Sequence, residues 1–150
     1  MIHGVDTGFL VAAEVLEHAQ HAAARDTLKR LLTAGDFFAV APQVLAEFIH
    51  VVTDPRRFQQ PLDITEAHRL AEQWWTAREV IRVFPDNAST HQFLTWLRQF
   101  FLGRKRLLDT LLAATYNQAG IRSLLTTNPA DFAIFGVFTS ITPTGTASTP

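Results

Sequence analysis

Three carboxylates lie in apolar surroundings along the sequence. Asp6 directly follows the short apolar run at residues 2–5, and Glu47 borders the apolar face of a helix predicted over residues 43–52. Asp109 interrupts a group of four leucines near the start of another predicted helix. A carboxylate that is removed from water is costly unless something pairs with it. These acids are therefore candidates for a shared cation site.

A fourth acid, Asp131, follows a predicted turn at residues 128–129. Taken singly, each acid also has a purely structural interpretation. Asp6 and Asp131 are residue types that cap a helix or a turn. Glu47 could extend from a helix boundary into water, and Asp109 could stabilise a helix dipole. Both interpretations stay open for each residue by itself.

Together, the acids favour one kind of chemistry. Carboxylates that gather at one end of a sheet repel one another and raise one another's pKa, and a hard divalent cation removes that cost. Magnesium prefers oxygen ligands and is typically held by one or two carboxylates together with substrate phosphate. Such a site supports in-line attack of a metal-activated water on a phosphodiester. The acids therefore favour metal-dependent hydrolysis of a phosphate ester.

Short apolar runs alternate with helical stretches and predict the framework that would position these acids. The predicted strands are residues 2–5, 37–40, 80–84, 123–126 and 138–141. The predicted helices are residues 7–17, 20–32, 43–52, 65–77, 87–101 and 104–118. This alternation is typical of an α/β fold with a mostly parallel sheet. Sites in such sheets lie beyond the carboxyl ends of the strands, which is where Asp6 and Thr126 fall.

Length and composition limit the class of protein. The 150 residues fit one domain, predicted over residues 1–142, and residues 143–150 predict a disordered C-terminal tail because they are all small, polar or Pro. The absence of Cys excludes disulfides, zinc–thiolate sites and cysteine nucleophiles. No apolar run approaches the ~18 residues of a membrane span, so we expect a cytoplasmic protein that does not bind membranes.

Two basic clusters bear on the question of nucleic acid. The formal net charge of −1 is not typical of a nucleic-acid-binding domain. Arg104, Lys105 and Arg106 directly precede Asp109, however, and two further arginines lie at residues 56–57. Near the acids, these cations would neutralise RNA phosphates. The other interpretation of residues 104–106 is the solvated start of a helix.

The order and separation of these segments resemble the pattern of the PIN-domain nucleases. The segments that carry the resemblance are Val5-Asp6-Thr7, Ala46-Glu47-Phe48, Leu108-Asp109-Thr110-Leu111-Leu112-Ala113-Ala114-Thr115 and Leu124-Leu125-Thr126-Thr127-Asn128-Pro129-Ala130-Asp131-Phe132. The resemblance covers residues 2 to about 142. Within that family, the sequence looks most like the ribonuclease toxins of bacterial VapBC toxin–antitoxin pairs.

The resemblance implies a PIN-like fold, in which helices flank a central, mostly parallel sheet. It also implies an acidic site that binds Mg²⁺, with Mn²⁺ as a second candidate. Asp6, Glu47 and Asp109 match the catalytic, metal-binding acids of the family. Asp131 is the candidate for the fourth catalytic and metal-binding place, and it competes there with Asn128 as a weak or water-mediated ligand.

Two positions differ from the family pattern. Asn128 stands where many members have Asp, and Gly8 stands where many have Ser, so that a hydroxyl near the metal would come from Thr7. Thr7 and Thr126 join the three basic residues at 104–106 as candidates for RNA contact.

The resemblance further implies an endoribonuclease that acts as the toxin of a toxin–antitoxin system. Its expected partners are a cognate antitoxin protein, the RNA substrate and a second copy of the chain in a homodimer. The alternative is a catalytically weak or inactive PIN domain that binds RNA or protein without cutting, which the departures at Asn128 and Gly8 favour. Metal titration discriminates the two hypotheses.

Overall fold

Strands and helices alternate along the chain in the computed structural model, which describes residues 1–147 and the side chains as far as residue 144. The strands are β1 (Ile2–Val5), β2 (Phe37–Val40), β3 (Val80–Arg82), β4 (Ser123–Leu125), β5 (Thr139–Thr142) and β6 (Gly145–Ala147). The helices are α1 (Thr7–Glu14), α2 (His21–Thr33), α3 (Pro42–Val52), α4 (Ile64–Thr76), α5 (Asn87–Gln99), α6 (Leu107–Gln118) and α7 (Ala130–Ala133), and a 3₁₀ turn spans Arg104–Arg106.

Local sequence accounts for several helix starts. Pro42 occupies the first turn of α3, where its missing N–H costs nothing. Asp63 caps α4 by accepting a hydrogen bond from the backbone N–H of Glu66. Asp86 and Ser89 cap α5 reciprocally, each side chain bonding the other's backbone N–H. Over the residues described, no helix is both long and apolar enough to cross a bilayer.

The sheet has the order β3-β2-β1-β4-β5-β6. The first five strands are parallel, and β6 runs antiparallel to β5 at the edge. The chain moves outward from β1 to β3 on one side and then returns to β4 on the other side. The strand order therefore reverses between β1 and β4, which makes this the topological switch point. The predicted α/β fold with a mostly parallel sheet is confirmed.

The central strands are buried because helices cover them. Strands enclosed in this way read as nearly continuous apolar runs, as β1, β2 and β4 do. Helices that pack against the sheet contribute fully buried side chains of large volume. Among these are Phe9, Leu10, Val44, Phe48, Tyr116 and Phe132.

Tyr116 ties β1 to β2 just below the carboxyl ends of these strands. Its hydroxyl lies 2.8 Å from the carbonyl oxygen of Val5 and 2.9 Å from that of Ala39, and it donates its proton to this pair. Burial raises the pKa of Tyr116 far above its usual value, so the donor stays protonated. A Cβ at Gly4 would lie 2.7 Å from Tyr116 Cδ2, which explains why a residue without a side chain stands there.

Replacing Tyr116 with Phe is expected to lower the free energy of unfolding by about 1–3 kcal/mol, because buried carbonyl groups lose a donor while the ring keeps its packing. Urea denaturation followed by circular dichroism measures this change. An unchanged midpoint would show that the hydroxyl does not hold the two strands together.

The C-terminal segment differs from the expected disordered tail. Residues 145–147 form β6, which pairs with β5 across a two-residue turn at positions 143–144. The carbonyl of Pro143 accepts a hydrogen bond from the buried hydroxyl of Thr27 at 3.3 Å. Thr-rich sequence supports a strand once a neighbouring edge is available, which composition alone does not reveal. Residues 148–150 of the predicted tail lie outside the described part.

Candidate active site

Asp6 and Thr126 directly follow the two strands that flank the switch point. The backbone N–H of Asp6 bonds the carbonyl of Leu125 at 2.9 Å, and the Thr126 hydroxyl donates to Asp6 Oδ2 at 2.8 Å. The Asp6 side chain is only 9% exposed and makes no capping hydrogen bond to α1. Capping of α1 therefore does not explain this acid, and its carboxylate is held instead by the neighbouring strand end.

Thr126 is fully buried, in contrast to its prediction as a candidate for RNA contact. Its hydroxyl accepts a hydrogen bond from the backbone N–H of Asn128 at 3.0 Å while it donates to Asp6. Thr126 thus fixes the Asp6 carboxylate relative to the following turn. RNA cannot reach it without displacing that turn.

Glu47 is brought to the site by the packing of α3 against α1. Val44, Phe48 and Val52 form the buried face of α3, and Glu47 lies half-buried at its border. The Thr7 hydroxyl donates to Glu47 Oε2 at 3.1 Å. The carboxylate is therefore turned toward the start of α1 and not into bulk water.

Arg106 joins the other two acids. Its Nε lies 3.7 Å from Asp109 Oδ2, and its Nη1 lies 3.7 Å from Asp131 Oδ1. Its Nη2 also donates to the backbone carbonyl of Asp131. The predicted helix start at residues 104–106 is instead a 3₁₀ turn, and this turn directs Arg106 to the acids. Arg106 is thus a half-buried partner of two carboxylates, whereas Arg104 and Lys105 are exposed.

The pKa values of two acids reflect their surroundings. Burial raises the pKa of Asp6 to about 7, with further contributions from the carboxylates of Asp109 and Glu47, while the Thr126 hydrogen bond opposes the shift. Burial raises the pKa of Asp109 to about 6, and the charge of Asp131 adds to this rise. Arg106 opposes the rise at Asp109. Repulsion among the carboxylates thus adds to the effect of burial at this end of the sheet.

One family model matches the segment that supplies all of these side chains. The model for the PIN domain matches residues 5–135. The chain belongs to the PIN-domain family. This match confirms the family resemblance read from the order of the acids. Comparison with curated protein sequences finds no significant match.

Solved structures share the fold of this PIN domain. VapC20 of Mycobacterium tuberculosis, described as a sarcin–ricin loop cleaving toxin, is 22% identical with a TM-score of 0.69 over 91% of this chain and 96% of that chain. VapBC2 of Rickettsia felis, bound to a DNA fragment from its promoter, is 18% identical with a TM-score of 0.66 over 95% and 98%. FitAcB of Neisseria gonorrhoeae is 17% identical with a TM-score of 0.59 over 95% and 98%.

The acids of this PIN domain open into one cleft of about 500 Å³. Its lining residues come from α1, α3, the start of α6 and the loops beside them: Asp6, Thr7, Gly8, Val11, His18, Glu47, Val51, Arg57, Phe58, Asp109, Thr127 and Asn128. The structure thus brings Asp6, Glu47 and Asp109 together in the cleft. Asn128 lines it as well, whereas Asp131 lies behind, where it accepts a hydrogen bond from the Asn128 side-chain amide.

The positions of several cleft residues could not be predicted from the sequence. His18 and Phe58 both line the cleft, and their segments are joined there because the carboxylate of Glu17 accepts hydrogen bonds from the backbone N–H groups of Gln59 and Gln60, at 3.2 and 3.0 Å. This contact joins segments that are about forty residues apart, so no local sequence pattern predicts it. Thr127 had a signal, since it directly follows the strand predicted over residues 123–126.

Gly8 keeps the cleft open beside Asp6. A Cβ at this position would lie 2.6 Å from Thr127 Oγ1 and 3.4 Å from Asp6 Oδ2. Any other residue would therefore push the Thr127 side chain aside. Gly8 stands where many members of the family have Ser, and the missing side chain leaves room next to the buried Asp6 carboxylate.

The donor set suits a hard divalent cation. Carboxylate, hydroxyl and amide oxygens face the cleft, and these are the ligands that Mg²⁺ and Mn²⁺ accept. Among residues 1–147, no three His, Asp or Glu side chains are close enough to form a ready-made metal cluster. An ion that keeps several waters and takes one or two protein carboxylates does not require such a cluster. The residues therefore fit a magnesium-type ion.

Proposed function

We propose that this PIN domain is a metal-dependent endoribonuclease that cleaves RNA phosphodiesters by attack of water. The observation that carries the proposal is the convergence of Asp6, Glu47 and Asp109 in one cleft at the switch point of the sheet. Burial and mutual repulsion raise the pKa of Asp6 and Asp109, and strongly perturbed carboxyls in a cleft are typical of functional sites.

Each acid has a distinct means of orientation. Thr126 holds Asp6, Thr7 holds Glu47, and Arg106 fixes Asp109. A divalent cation bound to these oxygens would lower the pKa of the attacking water and stabilise the negative charge that develops on the phosphate. The carboxylates would hold this cation in place, and the cleft is wide enough for a phosphodiester to approach the cation.

We further propose that the chain is the toxin of a toxin–antitoxin pair. Support comes from the shared fold with VapC20 of Mycobacterium tuberculosis and with the VapBC2 complex of Rickettsia felis. On this proposal the chain acts in the cytoplasm, forms a homodimer and is silenced by a cognate antitoxin protein. Mg²⁺ is the expected ion, with Mn²⁺ as a substitute.

Cleavage of a defined RNA tests the catalytic proposal. The full chain is incubated with end-labelled single-stranded RNA in Mg²⁺, in Mn²⁺ and in EDTA. We expect cleavage with either metal and none in EDTA. Attack by water, with the 3′-oxygen as leaving group, yields 5′-phosphate and 3′-hydroxyl ends. Ends with a 2′,3′-cyclic phosphate would instead show that the RNA 2′-hydroxyl is the nucleophile and would contradict this mechanism.

A second candidate function is a PIN domain that binds RNA or protein without cutting. Arg106 favours it, because its guanidinium already supplies positive charge between Asp109 and Asp131. Asn128, which lacks a charge, favours it as well. Calorimetric titration discriminates the candidates, since the binding module requires no uptake of Mg²⁺ or Mn²⁺ at millimolar concentration.

A further inference from the structure

The turn that follows α5 holds Phe101 in an unusual conformation. Its φ is 53°, and it is the one non-glycine residue with positive φ among residues 1–147. The backbone N–H of Phe101 bonds the carbonyl of Arg98, and the N–H of Leu102 bonds that of Leu97 at 2.9 Å. This pattern ends many helices, and glycine usually occupies the left-handed position. A phenylalanine there carries strain that glycine would avoid.

The same turn forces the Phe101 ring into solvent. Phe101 is 94% exposed, whereas Phe100 and Leu102 on either side pack against the core. Phe100 lies in an aromatic cluster with Trp96 and Phe135, at ring-centre distances of 6.5 and 5.9 Å. Because Phe100 and Leu102 are both packed against the core, the turn that carries Phe101 is ordered. The exposure of the Phe101 ring is therefore not caused by fraying of the helix end.

Cations surround this ring in the sequence. Arg98, Arg104 and Lys105 are all exposed, and in the part of the chain that the structure describes no acidic side chain forms an ion pair with any of them. Arg106, which follows them in the same 3₁₀ turn, lies against Asp109 and Asp131. The segment from Arg98 to Arg106 thus leads from the acid cluster to the exposed ring.

We infer that Phe101, with Arg98, Arg104 and Lys105, forms a subsite for single-stranded RNA next to the acid cluster, an inference that rests on the proposed function. A base stacks on the ring, and the cations neutralise the flanking phosphates. Single strands are bound in this way because every base has a face that can stack, whereas a duplex hides its bases.

A protein partner fits the segment less well. Phe and Arg are also common in protein interfaces, but Lys is depleted there, and the unpaired cations next to the ring would have to lose water unless the partner supplied acidic groups to each of them. In RNA, the phosphates supply these groups. The exposed apolar residue Ile64 starts α4 next to Asp63 and Glu66, and the nearest arginine on that helix, Arg69, is paired with Glu66, so Ile64 provides a comparison site.

The test is RNA binding by the full chain and by Phe101→Gly. The probe is a fluorescein-labelled single-stranded RNA of about 12 nucleotides, followed by anisotropy in EDTA so that no cleavage occurs. Glycine accepts the positive φ, so the variant should unfold at the same temperature as the parent or higher. We expect its affinity to fall about 5- to 100-fold, as for loss of one stacked base, and Phe101→Trp to bind as the parent does.

Two controls separate stacking from charge. Ile64→Ala removes an exposed apolar side chain outside the proposed subsite and should bind RNA as the parent does. The double variant Arg104→Ala/Lys105→Ala should lower the slope of log affinity against log salt by about 1.4, because each lost phosphate contact on a single strand contributes ~0.7. Phe101→Gly should weaken binding at every salt concentration and leave that slope unchanged.

Three results would overturn the inference: no binding of the probe by the parent, equal affinity of parent and Phe101→Gly, or a Phe101→Gly variant that changes oligomeric state without changing RNA affinity. The last result would assign the ring to a protein interface. Binding that depends on Phe101, with no cleavage in Mg²⁺, would refute the proposed nuclease activity and leave the RNA subsite standing.

Discussion

The Asp6→Asn variant is expected to lose at least about 100-fold of the metal-dependent RNA cleavage and to relieve growth arrest when the chain is expressed without an antitoxin. Asp6 is the most deeply buried acid of the cleft, and its carboxylate is oriented by Thr126. Asn keeps the shape and can still accept that hydrogen bond, but it removes the negative charge on which the cation depends. The loss should therefore appear in chemistry and not in folding.

A matched variant isolates the effect of position. Asp26 is exposed on α2, away from the cleft, so Asp26→Asn makes the same chemical change without touching the site. It should cleave RNA and arrest growth as the parent does. Full activity of Asp6→Asn beside a folded, active control would refute the assignment of Asp6 to the metal site.

The convergence of Asp6, Glu47 and Asp109 could be predicted from the sequence for a general reason. Parallel strands end at the same edge of the sheet, so an acid that directly follows a buried strand is placed there by topology. The apolar runs were clear because β1, β2 and β4 are covered by helices. Helical periodicity placed the other two acids at the borders of apolar faces, and these faces pack toward the same edge.

The partners of these acids could not be predicted. Arg106 pairs with Asp131, which is 25 residues away, and the pairing depends on a 3₁₀ turn where helical periodicity predicts a regular helix. A polar residue such as Thr126 at the end of a strand is expected to be exposed. It is fully buried, however, because the following turn folds back over it. Side-chain direction and burial of this kind follow from tertiary packing, which periodicity does not encode.

The fourth position illustrates the same limit. From the sequence, Asn128 and Asp131 are alternatives for the fourth place, and the structure gives them different surroundings. Asn128 lines the cleft, while the carboxylate of Asp131 is shared between the Asn128 amide and Arg106. The assignment of either residue to a metal remains a proposal. Asp131, by binding both neighbours, orients the Asn128 side chain at the rim of the cleft.

Binding of the metal ion is expected to depend on pH and to raise the stability of the folded protein. Asp6 has a pKa of about 7 in the metal-free fold, compared with 3.8 for an unperturbed Asp. A raised pKa means that the fold prefers the protonated acid, so stability falls as pH rises from about 4 to about 7 and stays low above that. The cost is on the order of 4 kcal/mol at most for Asp6. A cation that binds the ionised carboxylate offsets this cost.

Thermal unfolding in EDTA and in Mg²⁺ measures both parts of this expectation. In EDTA at pH 8, Asp6→Asn should unfold at a higher temperature than the parent, and the difference should shrink as the pH falls toward 5. Mg²⁺ should stabilise the parent strongly at pH 8 and weakly at pH 5, because binding to the folded state adds RT ln(1 + [L]/Kd) and protons compete for the same oxygens.

Asp26→Asn should follow the parent throughout. Equal stabilisation of Asp6→Asn by Mg²⁺ would show that the ion binds elsewhere, since the buried carboxylate would then contribute nothing to its affinity.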